Sequence, residues 1–288
     1  MKTRAVAVMA CLAGALAGCT REPEVRTYHL SGQILVVRSE TQEILIRHGD
    51  IAGFMPGMTM PFKVRDGALL EGREVGDLVE ATLSVTAESA WLSALTATGR
   101  APLPPDAPAA IPAAAGVSVL VPGDRVPDTA LVTASGRALR LTEASGRATA
   151  VTFIYTRCPL PDFCPLMDRR FAEVQRRASA DSALAGRVSL VSVSFDPAAD
   201  TAARLTSHAE ALGANPSIWQ FATIADAAQV DRFAATFGVN VIREQDGTIT
   251  HNLRTLVIAP SGTVVSARDG NQWAADDLLA DLRAALGR

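Results

Sequence analysis

The pattern of apolar and polar residues divides most of the chain into two segments with different periodicities. Between residues 27 and 99, short runs rich in branched residues alternate with Gly, Asp and Pro, which is typical of β-strands joined by turns. There are five such runs: GQILVVRS, EILIRH, MTMPFKV, GDLVEATLSV and AWLSALTATG. Five short strands predict a small all-β domain of the OB-type barrel class.

Residues 119–288 instead alternate strands and helices. ATAVTFIY is an almost continuous apolar run, as in a strand buried on both faces, and from Met167 to Ala178 apolar residues recur at helical spacing. Later runs predict a strand (RVSLVSVSFD), two helices (TAARLTSHAEAL and DAAQVDRFAATFG), a two-stranded ribbon and a C-terminal helix. This order, preceded by a hairpin turning at Ser135-Gly136, predicts a thioredoxin-like α/β domain.

Composition separates the two segments and limits the partners. Residues 100–118 are dominated by Pro and Ala, which predicts a semi-rigid linker. The 288-residue chain is 48% hydrophobic and 20% charged, so it can bury sizeable cores. Its formal net charge of −3 leaves no basic surface to neutralise a run of phosphates, which argues against a nucleic-acid partner.

Residues 1–18 have the features of an export signal. Lys2 and Arg4 precede 13 small or apolar residues, too few to span about 30 Å of hydrocarbon. The sequence Leu-Ala-Gly-Cys that ends at Cys19 resembles the lipobox of bacterial lipoproteins, in which cleavage precedes the cysteine and its sulfur is diacylated. The resemblance implies a lipid anchor at Cys19 and a periplasmic or other extracytoplasmic location at a bacterial membrane. The alternative is an ordinary cleaved signal whose cysteine is incidental.

Cysteine usage then isolates one pair of thiols. Cys11 lies in the signal and Cys19 at the lipobox, which leaves Cys158 and Cys164 in an oxidising compartment. They enclose a proline-rich Cys-x5-Cys loop, and Cys164 stands at the predicted N-cap of a helix, where the helix dipole favours a thiolate. Because thiolates are both nucleophiles and soft metal ligands, the pair alone fits a structural disulfide, a redox-active disulfide or a metal site.

A second candidate site lies in the first domain, within HGDIAGFMPGMTMPF. Met58 and Met60 share one face of a predicted strand, His48 ends the preceding strand, and Gly and Pro residues between them bring Met55 near. Thioethers are soft, neutral donors that Cu(I) and Ag(I) accept readily, and no carboxylate belongs to the cluster, which argues against Ca²⁺, Mg²⁺ or Mn²⁺. Methionines also fill gaps in cores, but three within six residues beside a histidine favour a site.

This segment resembles the metal loop of CusF-like periplasmic copper-binding domains, which carry a histidine and an MTM pair. The resemblance implies that His48, Met58 and Met60 are metal ligands. Met55 stands where the founding members of that family place a tryptophan stacked over the metal. A sulfur at this position either ligates the ion or shields it.

The second domain resembles the Sco/SenC family of copper-binding thioredoxin-like proteins, through FIYTRCPLPDFCP, VSVSFDPAADT and HNLRTLVIAPSG. The resemblance implies a copper site at Cys158, Cys164 and His251, and two thiolates with one imidazole suit Cu(I) and can also hold Cu(II). Two features depart from the family: most members separate the cysteines by three residues, and many have Asp where this chain has Thr250. Asp196 is either a group beside the site or a turn residue.

Two soft-ligand sets on one exported chain predict a membrane-anchored copper metallochaperone, in which the thioether domain captures Cu(I) and the thiolate domain accepts and delivers it. The Sco resemblance implies that the recipient is the dinuclear copper centre of a respiratory cytochrome oxidase, and the cysteine pair implies a thiol reductase as a second partner. Two alternatives stay open. One is an enzyme, a thiol-disulfide reductase for the client's cysteines, which should tolerate replacement of His251; the other is sequestration of copper or silver.

Overall fold

The structure is a computed structural model that describes residues 24–103, 117–142, 146–224, 226–243 and 249–287. The predicted signal, the predicted lipidation site Cys19 and most of the predicted linker lie outside the described residues. Among the helices within those ranges, none combines the length and apolar character needed to cross a membrane.

The N-terminal domain has five strands: β1 (Arg26–Arg38), β2 (Glu43–His48), β3 (Met58–Lys63), β4 (Asp77–Val85) and β5 (Ala90–Arg100). They form one antiparallel sheet in the order β3-β2-β1-β4-β5. The polypeptide leaving β3 meets β5 through a parallel bridge between Val64 and Leu92, so the sheet curls round one core. The predicted all-β class is confirmed. Among the described residues, the β3 and β5 edges of the sheet are joined by this single bridge and do not form a continuous ladder of hydrogen bonds.

A glycine lets β1 and β2 approach closely where β2 ends. Gly32 pairs with His48 across the two strands. A Cβ at this position would lie 2.5 Å from the carbonyl oxygen of Arg47 and 2.6 Å from Cγ2 of Ile46, both closer than van der Waals contact. The absence of a side chain at Gly32 therefore sets the spacing of the strand that ends in His48.

The strands of the C-terminal domain are β6 (Ala130–Thr133), β7 (Ala138–Arg140), β8 (Ala148–Ile154), β9 (Val188–Ser194), β10 (Trp219–Ile224), β11 (Val241–Arg243), β12 (Ile249–His251), β13 (Arg254–Ile258) and β14 (Val264–Asp269). Seven of them form a mixed sheet in the order β14-β13-β8-β9-β10-β6-β7, with β8, β9 and β10 parallel. A separate ribbon pairs β11 with β12. The helices are α1 (Cys164–Ala180), α2 (Ala202–Ala211), α3 (Val230–Thr236) and α4 (Ala275–Leu286).

Burial follows the sequence pattern in this domain. All seven residues of β8 are buried, as expected for a central strand covered on both faces. In α1 the apolar side chains predicted at helical spacing, Met167, Phe171, Val174 and Ala178, are all buried. Helices α1 and α4 pack against each other and against the sheet, and α2 contacts β10. The predicted thioredoxin-like α/β class is confirmed.

Helix α1 begins one residue earlier than predicted. Its N-cap is Phe163, so Cys164 is the first helical residue and Pro165 follows it. Proline is tolerated at the start of a helix because the N–H groups there have no intrahelical acceptor. The Cys164 side chain therefore projects from the first turn of α1 and not from the loop.

Gly32→Ala should lower the free energy of unfolding of the N-terminal domain by about 1 to 3 kcal/mol, because the added methyl group overpacks the β1–β2 contact. Amide hydrogen exchange should accelerate in β1 and β2 and stay unchanged in β8 and β9. Gly49→Ala is the matched control, since a Cβ there meets no atom within 4 Å. Equal effects of the two substitutions would contradict this interpretation.

Candidate metal centres

The first candidate centre joins the loop after β8, the start of α1 and the end of β12. The ligand atoms of Cys158, Cys164 and His251 all lie within 4.8 Å of one another, and Cys164 Sγ is 3.7 Å from His251 Nε2. Cys164 and His251 are buried, whereas Cys158 is half-buried. Both cysteines are free thiols in the structure. The two cysteines are six positions apart in the sequence, and His251 follows Cys164 by 87 positions. Folding brings the three residues together.

The orientation of His251 is fixed by a hydrogen bond and by aromatic rings. Its Nδ1 lies 3.0 Å from the carbonyl oxygen of Asn252. A carbonyl can only accept, so Nδ1 carries the hydrogen and Nε2 presents its lone pair toward Cys164. The rings of Tyr155, Phe163 and Phe195 lie with centroids 5.5, 5.9 and 4.8 Å from the imidazole. They limit its rotation and keep water from the donor atom.

The two thiols differ in acidity. Burial alone would raise the pKa of the Cys158 thiol, but the interactions of its sulfur with Cys164 and with the His251 side chain outweigh burial and hold that pKa well below its ordinary value. Burial, followed by the hydrogen bond to Cys158, raises the pKa of Cys164 well above its ordinary value. The helix-dipole prediction of a Cys164 thiolate is therefore wrong. Cys164 is only 2% exposed, and the lost solvation exceeds the dipole's contribution.

Buried carboxylates behind the loop hold the segment that carries Cys158. Asp196 is buried and pairs with Arg157 at 2.7 Å, directly before the cysteine. Asp200, also buried, accepts hydrogen bonds from the backbone N–H of Thr156 at 3.1 Å and from Ser194 at 2.6 Å. Asp196 thus acts on the loop through Arg157. Sequence reasoning missed Arg157 and Asp200, although the acidic residues after β9 were visible in the sequence.

The second candidate centre lies on the β2–β3 pair. His48 is directly opposite Met58, and Ile46 is opposite Met60, so His48, Met58 and Met60 share one face of the sheet. Side chains directly opposite each other have Cβ atoms about 5 Å apart. All three are buried. The predicted parity of these residues matches the observed register.

Met55 reaches the same buried cluster from the connection between β2 and β3. Its backbone bridges Ile51, with Ile51 N–H donating to the Met55 carbonyl at 2.8 Å. The turn between them passes through Gly53 at φ +74°, a conformation that favours glycine. Met55, Met58 and Met60 belong to one cluster of buried side chains.

The imidazole of His48 has the same arrangement as that of His251. Its Nδ1 lies 2.7 Å from the carbonyl oxygen of Gly49, which makes Nδ1 the donor and leaves a lone pair on Nε2. Within the described residues, Nε2 is buried without a hydrogen-bond partner. Burial lowers the pKa of His48, which favours the neutral form that ligates metals. An unsatisfied buried acceptor ordinarily costs about 1 to 3 kcal/mol, and a metal ion would satisfy it.

The other two described histidines have different surroundings. His29 is exposed on β1, and Nε2 of His208 lies 2.8 Å from Asp168 Oδ2. Neither residue belongs to the two ligand sets described above.

Comparisons with known proteins assign the two domains. The SCO1/SenC family model matches residues 124–287, more than half of the chain. The chain belongs to the SCO1/SenC family. A second model, described as the copper binding periplasmic protein CusF, matches residues 27–97. No curated protein matches this SCO1/SenC chain by sequence.

Solved structures share the fold of the SCO1/SenC domain. A SCO1/SenC family lipoprotein from Bacillus anthracis str. Ames superposes with a TM-score of 0.52 at 20% identity, covering 59% of this chain and 100% of that one. BsSco, described as a member of the Sco family of cytochrome c oxidase assembly proteins, has a TM-score of 0.50 at 21% identity, covering 59% and 98%. At these identities the similarity shows the fold.

Asp162, inside the cysteine loop, should make stability depend on pH. It is 6% exposed, burial raises its pKa to about 6, and its Oδ1 has no hydrogen-bond partner among the described residues. Because the folded-state pKa exceeds the ordinary value, the folded state loses stability as pH rises from about 4 to about 6. Asp162→Asn should therefore raise the free energy of unfolding by about 1 to 3 kcal/mol above pH 6 and have little effect below pH 4.

Urea unfolding of the reduced, metal-free protein across this pH range measures the effect. Glu71→Gln, which removes a charge from the exposed surface, is the control and should show no such dependence. A gain for Asp162→Asn that is the same at every pH, or a loss, would contradict the assignment.

Proposed function

We propose that the protein is an extracytoplasmic copper metallochaperone that binds Cu(I) at two centres and delivers it to a copper-receiving protein. One centre is Cys158, Cys164 and His251; the other is His48, Met58 and Met60, with Met55 beside them. The observation that carries the proposal is common to both centres. Each imidazole is buried and donates through Nδ1 to the next carbonyl, which leaves a lone pair on Nε2. At His251 this Nε2 lies 3.7 Å from Cys164 Sγ, and His48 shares one face of the sheet with Met58 and Met60.

The donor chemistry selects the metal. Two thiolates and an imidazole suit Cu(I), can hold Cu(II) and would also bind Zn²⁺. Three thioethers with a neutral imidazole offer no negative charge to a divalent ion and suit a monovalent coinage metal. Cu(I) is the ion that fits both sets, and it is cargo here, not a resident cofactor.

The comparisons support a recipient and a location. The SCO1/SenC membership, together with the description of BsSco as a cytochrome c oxidase assembly protein, supports a cytochrome oxidase subunit as the recipient. The periplasmic description of CusF and the lipoprotein neighbour support an extracytoplasmic site with a lipid anchor at Cys19. A thiol reductase would complete the cycle, because a disulfide between Cys158 and Cys164 has no thiolate to bind copper.

A thiol-disulfide reductase is the second candidate, favoured by the different acidities of the two thiols. Cys158 is half-buried with a lowered pKa, as in an attacking thiol, and Cys164 lies buried behind it, as in a resolving thiol. Both functions use the cysteines. They differ over His251, which metal binding requires and disulfide exchange does not.

The intact reduced protein should bind two equivalents of Cu(I) in an anaerobic titration against a competing chelator. Cys158→Ser should lose one equivalent, and Met58→Leu/Met60→Leu should lose the other, because each removes sulfur donors from one centre. Met167→Leu is the matched control. Its sulfur is buried in the C-terminal core and the substitution preserves side-chain volume, so two equivalents should remain. Full stoichiometry in both site variants would overturn the ligand assignments.

His251→Gln should separate the two candidate functions. We expect its affinity for Cu(I) at the cysteine centre to fall at least about tenfold, because a coordinating nitrogen is removed. His208→Gln, on α2, serves as the control. If His251→Gln binds Cu(I) as tightly as the parent and reduces a model disulfide at the parental rate, the reductase function is favoured and the chaperone function is contradicted.

A further inference from the structure

The loop between the two cysteines lies against the N-terminal domain. Leu160, at its centre, is 6% exposed and belongs to the buried cluster that contains Met55, Met58 and Met60. Cys158, two residues earlier, contacts the buried clusters of both domains. Cys158 therefore lies at the boundary between the thioether-bearing core and the thioredoxin-like core.

A hydrogen bond also joins the two domains at this contact. The hydroxyl of Thr250 donates to the carbonyl of Thr59. Thr59 is the residue between Met58 and Met60, and Thr250 directly precedes His251. The two ligand-bearing strands, β3 and β12, are consequently adjacent.

Asn271 links the cysteine loop to the N-terminal domain on one side of this contact. Its Nδ2 donates to the carbonyl of Asp162 at 2.9 Å, and its Oδ1 accepts from Lys63 Nζ at 2.8 Å. Arg169 makes a comparable link, donating to the carbonyl of Pro161 at 2.8 Å and to that of Glu88 at 3.4 Å. The loop therefore packs on the N-terminal domain directly through Leu160, and Asn271 and Arg169 connect its backbone carbonyls to that domain.

On the basis of the proposed function, we propose that the Cys-x5-Cys loop is a docking element for the N-terminal domain, and that Cu(I) passes directly from the His48–methionine centre to Cys158 within one docked chain. This loop has two more residues between its cysteines than most family members have. The extra length lets Leu160 reach the core of the N-terminal domain. The wider spacing thus serves to dock the N-terminal domain, in addition to setting the separation of the two ligands.

The transfer is a ligand exchange at constant oxidation state. A bond from Cu(I) to the Cys158 thiolate forms as bonds to the thioethers and the His48 imidazole break, and no electron moves. Cys164 and His251 then complete the new site, and the proton of the Cys164 thiol passes to solvent. Negatively charged thiolates stabilise a cation more than neutral thioethers do, which sets the direction of transfer.

Loading kinetics of the thiolate centre test the docking proposal. Cu(I) supplied by a chelator is followed through thiolate-to-copper ultraviolet absorption in the intact reduced protein. Leu160→Gln should keep two equivalents of Cu(I) but load the thiolates at least about tenfold more slowly, because the route through the N-terminal domain is lost. Met58→Leu/Met60→Leu should slow loading equally, and combining the two changes should add nothing. Val121→Gln, on the exposed surface of the C-terminal domain, should load at the parental rate.

Small-angle scattering reports separately whether the domains have parted. If Leu160→Gln separates the domains and still loads at the parental rate, direct transfer is overturned while the proposed function stands. If it fails to bind two equivalents, Thr250→Val decides the question, because this isosteric change removes only the hydroxyl that donates to Thr59. Slower loading with full stoichiometry in Thr250→Val supports the proposal, and unchanged loading refutes it.

Discussion

The same kind of backbone hydrogen bond occurs at both histidines and determines what each centre can bind. In His48 and in His251 the ring Nδ1–H donates to the carbonyl of the next residue, at 2.7 and 3.0 Å. The tautomer is thereby fixed, and each Nε2 keeps a lone pair inside a buried centre whose other candidate donors are sulfur atoms. Without that bond, either nitrogen could carry the proton, and the lone pair would have no fixed direction. The backbone carbonyls that directly follow β2 and β12 thus hold both imidazoles in the tautomer that can bind a soft cation.

The remainder of each domain keeps those imidazoles buried. In the N-terminal domain, Gly32 allows β1 to approach the end of β2, and the β2–β3 register places Met58 opposite His48. In the C-terminal domain, three aromatic rings surround His251, and Asp196 holds the loop before Cys158 through Arg157. Burial costs solvation of the donor atoms, and a bound metal ion offsets that cost.

The sequence predicted what depends on local periodicity. Alternation along two strands is enough to place His48, Met58 and Met60 on one face, and helical spacing is enough to bury Met167. The set of Cys158, Cys164 and His251 came from family resemblance, because no local rule relates a cysteine loop to a strand 87 residues later.

What could not be predicted depends on the contact between domains and on burial. Leu160 is one apolar residue between two prolines, so no periodicity marks it as part of the other domain's core. The bond between Thr250 and Thr59 joins residues 191 positions apart. The acidity of the thiols followed burial and neighbouring groups and not helix position, since Cys164 is enclosed and Cys158 interacts with Cys164 and His251.

X-ray absorption at the copper edge tests the central claim most directly. The intact protein loaded with two equivalents of Cu(I) should show imidazole scattering from both centres. A Cys158→Ser/Cys164→Ser variant should retain one imidazole with thioether sulfur, and Met58→Leu/Met60→Leu should retain one imidazole with two thiolates. Copper bound only by sulfur, with copper–copper scattering from a thiolate-bridged cluster and no imidazole, would contradict the account.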